Sequence, residues 1–135
     1  MAAHLLLTCH HNQALANACE RGLWLPLAMD TDQAFLVSHL AVIAPGERAI
    51  CAVAPITSLE PWIEADGIER WLPFLAPART LRHPIPLGRS QALRQWLPQG
   101  PTGYQLLAID ELLAAPSLAA WLEGPSQKQA PNHGA

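Results

Sequence analysis

The chain has 135 residues, half of them hydrophobic and only 14% charged, with a formal net charge of −3. That length predicts one domain with a real core, and that balance excludes a disordered chain. It also excludes a broadly basic protein that binds by neutralising many phosphates, so any nucleic-acid contact must come from a local patch.

Residues 4–9, HLLLTC, read as a short buried strand. Asn12 is placed to cap a helix running to about Arg21, with Leu15, Ala18 and Cys19 on one face and Gly22 where the helix stops. An apolar connector broken by Pro26 leads to Asp30 and Thr31, either of which can cap DQAFLVSHLAVI. The length of that segment favours helix, although its β-branched end also suits a strand. APGER is a turn, with Pro45 and Gly46 at its centre. From Ile50 to Ile56 both faces are apolar, which predicts a strand buried on both sides. Pro55 has no N–H to give to a ladder, so the pairing must change there.

Beyond the turn signal at 65–67, Pro73, Pro77, Pro84 and Pro86 exclude a long helix and predict two short extended runs at an edge. Ser90 caps a short helix, SQALRQWL, and YQLLA is a last strand. Asp110 is placed to cap ELLAA, and Pro116 to open a final turn with Leu118, Trp121 and Leu122 in a stripe. Short strands alternating irregularly with short helices predict an α+β fold, a small curved sheet or barrel with flanking helices. Residues 1–123 form the expected single domain and residues 124–135 a disordered tail.

The cysteines, Cys9, Cys19 and Cys51, are an odd number, and no basic apolar leader precedes them. Reduced thiols in a cytoplasmic chain are the expectation. No run approaches the ~20 apolar residues that span a bilayer, so no membrane partner is expected.

Candidate chemistry is sparse. Cys9, His10 and His11 are metal-ligand types, but a structural zinc site shows paired ligands twice over and here there is one cluster. Neither a metal nor another cofactor is expected. Cys9 facing His10, His11, His39 or His83 would make a nucleophile pair, without a local signature to support it. No serine elbow, phosphate loop or dinucleotide fingerprint is present.

Trp71, Trp96 and Trp121 sit in apolar patterns and read as core. Trp24 and Trp62 stand beside prolines, each either a plug closing the core or an aromatic wall for a flat ligand, with the plug favoured. Arg79, Arg82, Arg89 and Arg94 place four cations in sixteen residues that contain no acid. This run is a phosphate-binding face or a solvated rim.

The order of these elements resembles the PUA-like superfamily in its EVE and ASCH branches. The likeness rests on the Pro45-Gly46-Glu47 turn, on VAPITSLEP as a following barrel strand, and on Tyr104 to Leu113 as the closing segment. It covers about residues 4–115, with one strand where the family usually has two. The resemblance implies a small, partly open, mixed or antiparallel β-barrel with short helices over its ends. It also implies a pocket at the barrel mouth that reads RNA or DNA carrying a modified base. Trp24, Ser58 and Trp62 would line that pocket, while Arg79, Arg82, Arg89 and Arg94 would touch the nucleic-acid backbone.

The leading expectation is therefore a non-enzymatic binding domain for nucleic acid or a nucleotide-like ligand. From a different class comes a small protein–protein module or homodimer, docking through Trp24-Leu25-Pro26 and Trp71-Leu72-Pro73. A Cys/His-dependent hydrolase ranks third.

Overall fold

HLLLTC forms strand β1 (His4–Cys9), buried from Leu5 to Thr8. Successive residues of a strand point to opposite faces, and here Leu5 and Leu7 enter one core while Leu6 enters another. A strand covered on both faces needs an unbroken apolar run, which this sequence supplies. The computed structural model describes residues 3–124, so the tail expected at 124–135 lies outside the described residues except for Gly124.

Helix α1 (Ala14–Arg21) follows β1, with Gln13 rather than Asn12 at its N-cap and Gly22 closing it in the left-handed conformation. The next expectation needs correction. Segment 31–43 is not one helix. Asp30 and Gln33 form a capping box that starts a single turn, α2 (Thr31–Ala34), and the chain then extends into β2 (Val37–Ile43). Val37, Val42 and Ile43 are β-branched, and β2 gains a parallel ladder along β1, from His4 beside Val37 to Cys9 beside Ile43. That ladder outweighs the local helical preference.

Strand β3 (Ala49–Trp62) has 14 residues and carries two partners in tandem. Its first part pairs with β5 (Arg79–Pro86) and its last part with β4 (Arg70–Leu75), both antiparallel. The changeover falls at Pro55, as its missing N–H requires. Pro55 still accepts a bond from the Ala76 N–H at 2.9 Å. Strand β2 joins β3 only at His39–Pro55 and Leu40–Ala54. With so short a junction the first part of β3 is not covered on both sides. Ile50 and Ala54 are buried, but Cys51 is exposed, contrary to the sequence expectation.

Strand β6 (Gln105–Ala108) pairs antiparallel with β1. The six strands form one mixed sheet in the order β4-β3-β2-β1-β6, with β5 on β3, and the sheet does not close on itself. The fold is α+β. Helices α1 and α2 share one core with Leu6, Leu40 and Ala54. Helices α3 (Gln91–Trp96), α4 (Ile109–Ala114) and α5 (Leu118–Leu122) share the other with Leu5, Leu7 and Leu107. Ser90 caps α3 as expected. Ser117, not the residue before Pro116, caps α5, and Asp110 lies inside the first turn of α4 rather than at its cap.

The outer edge of β4 is covered by the connector after α1. The Trp24 N–H donates to the Pro73 carbonyl at 3.0 Å, and Leu27 and Trp71 exchange two backbone bonds of 2.9 Å. The two apolar segments expected to dock a partner, around Trp24 and Trp71, pair with each other through these bonds. Among the described residues no helix is long and apolar enough to cross a membrane.

Candidate functional site

Strands β1 and β2 are parallel neighbours, so Cys9 and Ile43 end them side by side. The loops that follow, His10–Gln13 and Ala44–Arg48, therefore emerge together. The carboxyl ends of parallel strands are where open sheets bind ligands, because the chain diverges there and leaves a crevice. The His10 N–H donates to the Ile43 carbonyl at 3.1 Å and holds the two loops together at their roots. The end of α3 and the loop after it form the third wall. Together they enclose an open cavity of about 740 Å³.

Its floor is apolar, made by Ile43, Leu87 and Leu97. Its walls carry Cys9, His10, His11, Glu47 and Arg94. The imidazoles of His10 and His11 have centroids 4.3 Å apart, and His10 also meets the edge of Trp24 at 6.2 Å. Glu47 is committed to the turn, where one carboxylate oxygen accepts the Ala44 N–H at 2.8 Å. Arg94 is exposed and makes no ion pair, since the salt bridges among the described residues all belong to Arg70. The electrostatic offer to a ligand is thus one guanidinium with no ion-pair partner among the described residues, two imidazoles and the Glu47 carboxylate, above an apolar floor.

The loop at the lip is fixed from below. Thr8, fully buried, points its hydroxyl between the carbonyls of Gly103 at 2.7 Å and Gly100 at 3.0 Å. Burial pushes the Cys9 thiol up from its ordinary value, which keeps it protonated at neutral pH. An attacking thiol has the opposite shift. Among the described residues no group of three or more His, Cys, Asp or Glu is arranged to hold a metal ion.

The residues singled out from the sequence are dispersed. Trp24 is 2% exposed and donates its indole N–H to the Pro101 carbonyl at 3.1 Å, so it plugs the core. Ser58 is exposed on the far half of β3, and Trp62 stands at the end of that strand, its N–H on Glu64. Among the described residues Trp24 and Trp62 line two different small cavities, and neither of these includes Ser58. Arg79 and Arg82 are exposed on β5 and Arg89 precedes α3. Of the four arginines Arg94 alone lines the large cavity.

The sequence displayed Cys9, His10 and His11 as residue types, yet only the parallel pairing of β1 with β2 shows that they face a cavity. A strand followed at once by a helix was the local signal for it. The part played by Glu47 and Leu97 had no local signal. No family model matches the chain, and no curated protein or solved structure matches it significantly.

Proposed function

We propose that this chain is a non-enzymatic binding domain whose cavity takes a nucleotide-sized anionic ligand, either free or presented by RNA or by DNA carrying a modified base. One observation carries the reading: Arg94 stands without an ion-pair partner among the described residues, over an apolar-floored cavity of about 740 Å³ walled by His10 and His11. That volume lies within the range of roughly 300–1,000 Å³ that takes ligands of this size. An apolar floor suits the face of a base, imidazoles stack on it, and a guanidinium is the side chain that best grips a phosphate in two-point fashion.

The resemblance to the PUA-like superfamily supports the ligand class. It also supports a partly open barrel as the finer description of this curved arrangement of strands. The position of the site departs from that resemblance, because the proposed cavity lies at the ends of β1 and β2 and not between Trp24, Ser58 and Trp62. The raised Cys9 thiol weighs against the hydrolase alternative.

The test is an equilibrium titration with nucleoside monophosphates and with single-stranded RNA and DNA oligonucleotides, at low and at high salt. Binding that weakens with salt is expected. Arg94→Ala should lower the affinity about tenfold or more, the usual loss for one charge-assisted contact. Arg82→Ala should leave mononucleotide binding unchanged. If none of these ligands binds at low salt, the proposal fails.

A further inference from the structure

Strand β3 with β4 and β5 along one edge makes a long two-stranded ribbon, and its turn end differs chemically from the stretch that β5 covers. At the turn end stand Trp62, 41% exposed, Ile63, 91% exposed, and Ile68, 48% exposed. Around them lie four carboxylates, Glu60, Glu64, Asp66 and Glu69. Arg70 is the cation there, and its guanidinium is already held by Asp66 through two bonds of 2.9 and 2.8 Å, with Glu64 at 3.6 Å.

This tip is built rather than loose. The Trp62 indole N–H donates to Glu64 at 2.9 Å, and the Ile68 N–H donates to the Asp66 carboxylate at 3.0 Å. The Gly67 N–H closes the turn on the Glu64 carbonyl at 3.2 Å. Three large apolar side chains thereby stand in water on a hydrogen-bonded turn, and exposed apolar surface of that kind marks interaction sites. Since the ring of carboxylates repels another such ring, tip cannot meet tip. The occupant must bring cations.

The same ribbon supplies them. Along it β5 carries Arg79 beside Val53, then Arg82, both exposed and neither in an ion pair among the described residues. Val53 and Trp62 are nine positions apart on β3, roughly 30 Å at the rise of an extended chain. Two ribbons laid side by side and running in opposite directions bring each acidic tip to the other copy's basic stretch. A two-fold axis then passes near their midpoint, so both contacts form at once and the assembly closes.

We infer that this ribbon is a homodimer interface, in which the apolar tip around Ile63 of one copy is occupied by the stretch of β5 that carries Arg79 and Arg82 in a second. The inference is independent of the ligand proposed for the cavity. It is tested by sedimentation velocity over a wide concentration series at low and high salt. The weight-average mass should climb towards twice that of the monomer at low salt and fall back as salt screens the contacts. Ile63→Ser and Arg82→Glu change exposed side chains and should each weaken association at least tenfold, with circular dichroism unchanged. A monomer at every concentration and salt overturns the inference. So does an association that Ile63→Ser leaves intact, and so does one that Arg82→Glu leaves intact.

Discussion

The indole N–H of Trp24 and the carbonyl oxygen of Pro101 are 77 positions apart in the chain and 3.1 Å apart in space. Trp24→Phe keeps an aromatic ring, though a smaller one, and strands that carbonyl. The expected loss is about 1–3 kcal/mol of unfolding free energy, read from urea denaturation. The comparison is Trp71, whose indole nitrogen is buried without a hydrogen-bond partner. Trp71→Phe removes an unsatisfied donor and should cost clearly less than Trp24→Phe. Equal losses would show that ring volume, and not the bond, sets the cost at Trp24.

Gly88 has φ of +77°, and a Cβ added there would meet the Ser117 hydroxyl at 2.8 Å and the Ala119 methyl at 2.9 Å. Ser117 cannot simply swing away, because its oxygen caps α5 by accepting the Ala120 N–H. Gly46 also has positive φ, but its added Cβ meets nothing. Gly46→Ala should therefore cost roughly 1–2 kcal/mol for backbone conformation alone. Gly88→Ala should exceed it, and a measured order the other way round would contradict the contact with α5.

The three thiols should react in two classes. Cys51 is exposed, whereas Cys9 and Cys19 are half-buried and burial pushes both thiols up. With an aromatic disulfide reagent at mildly alkaline pH one thiol should react in a fast phase and two slowly. Cys51→Ser should remove the fast phase alone. A ligand in the cavity should slow Cys9 further and leave Cys51 untouched.

At the ribbon tip, the paired bonds from Arg70 hold the Asp66 carboxyl down to about 2. The folded value is depressed, so the contact is fully present above the ordinary carboxylate range and is lost as pH falls through about 2. Carbon-detected NMR should show Asp66 titrating last among the carboxylates. In Arg70→Met its midpoint should return towards that ordinary range.

His39 carries a second pH signature. Burial, together with the positive charge of Arg79, lowers its imidazole below the usual value. The unfolded chain then takes up the proton more readily, so this group's contribution to stability is present above about pH 6.5 and is lost as pH falls through the depressed value. Arg79→Ala should raise the NMR midpoint of His39, and an unchanged midpoint would leave burial as the whole cause.

Much of the fold was legible because its causes are local. The strand at His4–Cys9, the helix ending at Gly22, the break at Pro55 and the cap at Ser90 each rest on neighbours in sequence. The segment 32–43 reads locally as a helix with a strand-like end, and how much of it becomes strand depends on β1, which lies far away in the chain but alongside in the sheet. The site was half legible for the same reason. Cys9, His10 and His11 announced their chemistry, but Arg94 reaches them only through the packing of α3. Trp24 could be read as wall or plug until the position of the Pro101 carbonyl was known.

Thr8 and Trp24 together hold the irregular loop at residues 98–103 through the carbonyls of Gly100, Pro101 and Gly103. A segment without regular secondary structure would ordinarily be the place to open the chain and join it anew elsewhere. Here a circular permutant cut at Pro101 should fail to fold, since it unfastens both cores at once. One cut at Asp66, where the turn's bonds run among its own residues and their nearest neighbours, should keep the cavity intact.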